Sequence, residues 1–449
     1  MKNFAADWAA ARRVRRVFAT FTALAAAAFA ATPAHAVPAF ARQTGQDCIA
    51  CHVGGFGPQL TPFGRAFKLG GYTLSNGKKH LPVSAMLVSS YTHTTNDVQP
   101  GADYPGEHAN NNLVALQQAS VFLAGRITDH IGMFGQATYE QATYSPNFNW
   151  DNTDIRYARN YQFGSTSGVF GVSVNNNPTV SDVWNTVPAW QFGFMSAPYG
   201  GGYGAGPEIS NLGQSVIGTT AYTLVDNHWY FEGGLYHGIS NWWNQQLKGG
   251  GADLVSGYNP YWRVNYQNYV GNSNYEAGLI GMNTRVDDGT GSGATNSFKD
   301  VGVDASYQYI DGGISSVTVN GMYMHERQNY TPGFVGVGHS SNASDNLNFF
   351  NLNTAYWYRN TYGATIQFFN TTGSGDAALY GTDPTGAALS PSTSGVVWEL
   401  DWNPFGKSWV DPEKNLRLGL QYTTYNKFNG SSTNASGNNS LFVYLWTAI

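Results

Sequence analysis

The chain has 449 residues, of which 11% are charged and 15% aromatic, with 54 glycines; this mixture is poor in helix formers and rich in strand and turn residues. Beyond the N-terminus no apolar run approaches the roughly 20 residues that a spanning helix needs, which excludes a helical membrane protein. The formal net charge of -5 does not suit nucleic acid as a partner.

At the start, Arg12, Arg13, Arg15 and Arg16 precede the apolar stretch 17–31, and Ala34-His35-Ala36 supplies the small residues of a cleavage site. Residues 1–36 therefore read as a removed signal peptide. The paired arginines are compatible with twin-arginine export and the alanine-rich core with the general secretory route; either takes the chain out of the cytoplasm. Removal leaves 18 basic and 27 acidic residues, so the mature chain is acidic.

Residues 37–81 carry the chemistry. The only two cysteines, Cys48 and Cys51, are followed at once by His52, and Cys-x-x-Cys-His reads as c-type haem attachment. Two thiols at this spacing reach the two vinyl groups of one porphyrin, and the adjacent imidazole serves as proximal iron ligand. A disulfide, a thioredoxin-like redox pair and a zinc site are the competing readings, and none of them accounts for the histidine directly after the pair. Thr61-Pro62 then offers a helix start and Gly70-Gly71 a stop, giving one short helix over 62–69 in an otherwise irregular segment. Phe63, Phe67 and Leu69 would cover the haem edge. About 45 residues are too few to bury a porphyrin in a core of their own, so the rest of the chain must complete the pocket.

From Pro82 onward, segments of roughly ten residues alternate apolar and polar side chains between Gly/Asn/Asp/Ser-rich connections, the signature of an all-β transmembrane barrel over 82–449. Val301, Val303, Ala305, Tyr307 and Tyr309 oppose Gly302, Asp304, Ser306 and Gln308; Leu416, Leu418, Leu420 and Tyr422 oppose Arg417, Gly419, Gln421 and Thr423; Trp398, Leu400 and Trp402 oppose Glu399, Asp401 and Asn403. The first set of each pair is lipid-facing and the second lumenal. Six tight connections, at 128–130, 164–168, 226–227, 271–273, 311–313 and 361–362, and a longer one at 404–415 make seven turns on one side, which alternate with eight loops at 94–112, 145–153, 176–214, 239–259, 287–299, 327–344, 373–393 and 427–438. Fifteen connections join sixteen antiparallel strands, with the tight turns facing the periplasm. The loop 176–214 is the longest and is expected to fold into the lumen. A soluble solenoid or sandwich is the alternative architecture, but neither predicts this alternation of turn lengths.

Strand alternation also orders the candidates for the sixth iron ligand. In the first strand Met86 shares the lumenal face with Ser84, Val88, Ser90 and Thr92, whereas His93 lies on the other. Met86 is the first candidate and His80, just before the strand, the second; the lumenal Met322 and Met324, or an open position, complete the set, and simple packing is the bland role for Met86.

Residues 37–45 (VPAFARQTG), 48–52 (CIACH), 60–65 (LTPFGR) and 67–69 resemble the fused monohaem cytochrome-porins of iron-oxidising bacteria. The likeness covers the whole haem segment and extends to the barrel in length and strand number. It implies one covalently attached haem c and an outer-membrane oxidoreductase of the Fe(II):cytochrome c type. Electrons would pass from extracellular Fe(II) through the haem to a soluble periplasmic cytochrome or other carrier, with the haem segment within or at the periplasmic side of the barrel. Arg42 and Arg65 are then candidates, by charge and proximity, to pair with the haem propionates. Asp304, Glu399 and Asp401 in the lumen, and Asp97, Asp103, Glu107 and His108 in the first long loop, are candidates to attract Fe(II), with pore hydration as their ordinary role. A channel with a haem-bearing plug, and a conduit for another donor or acceptor, are the alternative functions.

Overall fold

The structure, a computed structural model, describes residues 39–98, 110–139, 148–186, 204–247, 255–405 and 415–448. The signal peptide and the loop residues Asp103, Glu107 and His108 lie outside the described residues. Sixteen strands form one closed antiparallel barrel. The first eight are β1 (Val83–Val98), β2 (Asn110–Arg126), β3 (Ile131–Tyr139), β4 (Phe148–Phe163), β5 (Thr166–Asn175), β6 (Val216–Val225), β7 (Trp229–Gly238) and β8 (Tyr258–Val270). The others are β9 (Ser273–Asp287), β10 (Thr295–Asp311), β11 (Ser315–Asn329), β12 (Ser344–Tyr358), β13 (Tyr362–Gly373), β14 (Thr393–Trp402), β15 (Leu416–Lys427) and β16 (Ser440–Ala448). β1 pairs with β16 from Met86 opposite Ala448 to Thr94 opposite Ser440, which closes the sheet.

The period-two pattern sets the two faces as the sequence requires. In β10, Val301 and Val303 are 54% and 49% exposed on the outside while Asp304 is 2% exposed inside. Trp398, Leu400 and Trp402 likewise face outward and Glu399, Asp401 and Asn403 inward. An apolar exterior, a polar interior and a sheet with no open edge make this a transmembrane barrel of the bacterial outer membrane.

Several boundaries differ from expectation, among them the ends of β1 at Val98 and β11 at Asn329, which run into stretches expected to be loop. The β12–β13 turn is Arg359-Asn360, both at positive φ (52° and 51°), two residues before the expected 361–362. Two residues of that conformation twist a hairpin in the sense the strands need, and an arginine there gives little turn signal. β4 begins at Phe148 and β10 at Thr295, inside stretches expected to be loop. Strands of 16 and 17 residues exceed the 9–11 that cross a bilayer; β10 accordingly opens on Thr295-Asn296-Ser297, polar on both faces, and β4 opens on Phe148-Asn149-Trp150 before a register shift against β3 that breaks the alternation.

The N-terminal segment fills the tight-turn end of the lumen. Its helix Pro62–Leu69 forms as expected: the Thr61 side chain caps it by accepting from the Gly64 amide at 3.2 Å, and Gly70 ends it. The segment is more regular than expected, with further short helices at Ala39–Thr44 and Cys48–Cys51. Side chains tie it to the wall. Tyr72 Oη donates to Asp154 at 2.6 Å, and Tyr222 Oη to the Leu69 carbonyl at 2.7 Å. The long loop after β5 folds inward and meets this plug: Val180, Val183, Trp184, Ile209 and Leu212 are buried, and Lys68 donates to the Val180 carbonyl. On β10 Asp300 accepts from the Ile209 amide at 3.0 Å, and Thr186 bonds Asp304. Plug and loop therefore meet inside the lumen.

Val303 is an outward, central residue of β10. Val303→Arg is expected to lower barrel stability by about 2–4 kcal/mol, measured by denaturant unfolding in lipid vesicles, with Val303→Leu unchanged as control.

Candidate haem site

Two close approaches shape the Cys48–Cys51 helix. Gly64 of the following helix lies against the Cys51 carbonyl so tightly that a Cβ there would overlap it, and Gly54, at φ +66°, packs on the Trp357 ring of β12 in the same way. The Gly54 carbonyl accepts from Asn403 Nδ2 at 2.7 Å and from Arg417 at 3.0 Å. The backbone just after His52 is thus fixed to three strands. Asn415 Nδ2 lies 3.7 Å from Cys48 Sγ.

Beside this helix is a pocket of about 1230 Å³, counting its open mouth, lined by Cys48, Cys51, His52 and Phe56 from the plug and by Ser84, Met86, Phe122, Phe134 and Trp446 from the wall. It sits at the tight-turn, periplasmic end, between the beginnings of β1 and β3 and the ends of β2 and β16. Burial pushes the Cys48 thiol up to about 12 and the Cys51 thiol up to about 11. A redox-active pair needs the opposite shift, which stabilises thiolate, so the site does not suit thioredoxin-like chemistry. Burial also pushes the His52 imidazole down to about 4, keeping it neutral with a free lone pair. Its ring contacts the Gly57 backbone, and Nδ1 is buried without a hydrogen-bond partner. Two thiols on one turn of helix, an orphaned imidazole nitrogen and a largely apolar, aromatic-walled pocket fit a covalently held porphyrin.

The structure brings Met86 to this pocket, as strand alternation requires, with 8% exposure. It does not bring the other ligand candidates. His80 Nε2 pairs with Asn76 Oδ1 at 3.0 Å, and His93 Nδ1 with Asn112 at 3.1 Å. Met322 and Met324 are packed under the inward loop with Ile209 and Leu212.

Arg42 and Arg65, expected beside propionates, are used elsewhere. Arg42 donates to the Leu81 carbonyl at 3.0 Å and to the Val83 carbonyl, pinning the first helix to the start of β1. Arg65 is 2% exposed and donates to Gln308 Oε1 at 2.9 Å, the Leu60 carbonyl at 3.2 Å and Asn274. Both guanidiniums donate to neutral groups that anchor the plug, and the Nε of each is buried without a hydrogen-bond partner. Phe67 does not line the pocket but packs behind it on Phe40, which does, and on Tyr72, and Phe63 is exposed; Phe56, Phe122, Phe134 and Trp446 take the covering role expected of Phe63, Phe67 and Leu69.

The lumenal carboxylates are equally committed. Asp304 pairs with Arg263 at 2.6 Å, and Glu399 and Asp401 share the Tyr444 hydroxyl; they are closed wall networks, not open cation sites. Among the described residues no group of three or more His, Cys, Asp or Glu is arranged to hold a metal ion.

Sequence reasoning missed Arg417. Its guanidinium lies 4.8, 4.6 and 5.8 Å from the ring centroids of Phe56, Trp357 and Trp446, so it is enclosed by aromatic faces beside the pocket. Alternation in β15 places it inward, but nothing in its local sequence names Gly54 as its acceptor.

Fold and site together define a porin-like outer-membrane β-barrel whose periplasmic mouth is plugged by a Cys-x-x-Cys-His segment. No protein-family model and no curated protein matches the sequence. Among solved structures the chain is similar to Salmonella typhi OmpF in complex with daunomycin (13% identity, 82% of this chain and 97% of that one, TM-score 0.45). It is similar also to the outer-membrane channel DcaP of Acinetobacter baumannii (10%, 82% and 96%, 0.45) and to the anion-selective porin of Comamonas acidovorans (11%, 82% and 99%, 0.44).

Because Gly54 combines positive φ with contact to Trp357, Gly54→Ala is expected to destabilise plug docking by more than about 1 kcal/mol. Limited proteolysis of the folded barrel should release the N-terminal segment faster than in the wild type, and equal rates would contradict this packing role.

Proposed function

We propose that this protein is an outer-membrane electron-transfer barrel that carries one c-type haem in its periplasmic mouth and oxidises extracellular Fe(II), delivering electrons to a soluble periplasmic cytochrome or other carrier. The observation that carries the reading is the single pocket in which Cys48, Cys51, His52 and Met86 meet. Cys48 and Cys51 would hold the group through thioether bonds, His52 would supply the proximal ligand and Met86 the distal one. A bound haem supplies one-electron chemistry, and a thioether ligand raises its potential relative to a second imidazole, which suits acceptance of electrons from iron. The protein's part is to exclude water with Phe56, Phe122, Phe134 and Trp446 and to keep His52 neutral. Fe(II) as donor, and the inward direction, rest on the sequence resemblance.

The competing reading is a diffusion channel with a haem-bearing plug. The contacts of the plug favour a closed barrel, because Arg65, Lys68 and Tyr72 each bind the wall or the inward loop. Anaerobic stopped-flow mixing of the oxidised, detergent-solubilised protein with Fe(II) is expected to reduce the haem rapidly, and Cys48→Ala to lose the response. A haem that stays oxidised with Fe(II) but reduces with dithionite would replace the donor; porin-sized conductance in planar bilayers without such reduction would put the channel reading in its place.

Met86→Ala should keep the covalent haem yet lose the thioether-to-iron absorbance band of the oxidised form and lower the midpoint potential. An unchanged spectrum and potential would remove Met86 from the iron.

A further inference from the structure

The wall behind the pocket contains a network that the electron-transfer reading does not use. Glu399 and Asp401 are successive inward residues of β14, 4% and 6% exposed. Both reach one hydroxyl: Tyr444 Oη lies 2.9 Å from Glu399 Oε1 and 2.8 Å from Asp401 Oδ1. A phenol has one proton to donate. Two such contacts to two carboxylates therefore require a second proton, carried by one of the carboxyl groups.

The surroundings decide which. Arg417 Nε of β15 is 3.8 Å from Asp401 Oδ1, while Glu399 Oε2 accepts from the neutral Gln421 Nε2 at 2.8 Å. β13 places Thr365 opposite Glu399 and Gly363 opposite Asp401, neither of them charged. Asp401 is thus the ionised partner and Glu399 the proton carrier, donating to Tyr444, which donates to Asp401. Arg417 links this network to the pocket, since it also donates to the Gly54 carbonyl and lies over Phe56 and Trp446, two pocket-lining rings.

We propose that the Glu399–Tyr444–Asp401 network is a proton site coupled to the haem, so that electron transfer through this protein carries a proton on and off the barrel wall. The inference rests on the electron-transfer reading above. With Arg417 charged, the network is neutral when Glu399 is protonated and carries one negative charge when it is not. Reduction of a bound haem would lower the local charge by one and strengthen the hold of Glu399 on its proton. Over the pH range in which Glu399 has lost that proton in the oxidised protein it would therefore take one up from water, and reoxidation would return it. Two linked sites of this kind titrate together. The midpoint potential therefore falls as pH rises, by up to about 59 mV per unit, the one-electron equivalent of a tenfold change in proton activity.

The test is spectroelectrochemical titration of the haem-loaded full-length protein in detergent from acid to neutral pH, beside Glu399→Gln. The wild type is expected to show the falling potential. Glutamine imitates the protonated acid, so the variant should keep the wild type's low-pH potential at every pH, with the same haem spectrum. A pH-independent wild-type potential, or an identical slope in the variant, overturns the proposal while leaving the haem reading intact; a purified wild type without haem overturns both. Should Glu399→Gln not fold, proton uptake on reduction of the wild type in weakly buffered dye solution gives the answer directly, and its dependence on Tyr444→Phe separates this network from other titrating groups.

Discussion

No backbone N–H or C=O can be left without a partner in the hydrocarbon of a bilayer, and the pairing of β1 with β16 meets that requirement by removing the last edge of the sheet. The other features of the molecule follow from this closure. Sixteen strands enclose a lumen wide enough to need filling, and its inward side chains are polar because the outward ones must meet lipid. The filling is built from charge and hydrogen bonds. Arg156 pairs with Asp154 at 2.7 Å and Arg263 with Asp304 at 2.6 Å, all four side chains fully buried. Removing one member of such a pair strands the other in a dry site, at a cost of about 3–5 kcal/mol. The lumen is therefore a core in which polar complementarity takes the place of apolar packing, and the plug belongs to it.

Most of the barrel was legible in the sequence because its signal is local. A two-residue period, turn residues and the alternation of short with long connections are each readable within a dozen residues, and they locate all sixteen strands. The boundaries that escaped include those where the local signal fades, at Arg359-Asn360 and in the outer ends of β4 and β10. In the site, the Cys48-x-x-Cys51-His52 motif, the capped helix 62–69 and the inward direction of Met86 were equally local.

The partners of the arginines were not legible. Arg65 meets Gln308 across 243 positions of sequence, and Arg417 meets Gly54 across 363. A buried guanidinium must find acceptors, but its own neighbourhood in the chain does not say where. Charge and proximity to the motif pointed Arg42 and Arg65 toward propionates; closure of the barrel brought other acceptors nearer. The same logic removed Asp304, Glu399 and Asp401 from the candidate iron sites, because in a closed lumen a carboxylate finds an arginine or a hydroxyl two strands away more readily than it stays open to solvent.

A pocket shared between plug and wall divides responsibility in a definite way. The plug contributes the residues that would attach a haem, all within Cys48 to His52. The wall contributes the dielectric, most of the aromatic cover and a buried cation, Arg417, which also holds the Gly54 carbonyl in place. Docking of the plug and electrostatics of the pocket thus run through one side chain, so replacing Arg417 disturbs both at once and cannot assign an effect to either. Glu399 lies one step further out, bonded to Gln421 and Tyr444 of the wall. At that position charge can be altered while the contacts of Gly54 stay intact, and structural and electrostatic contributions of the barrel become separable.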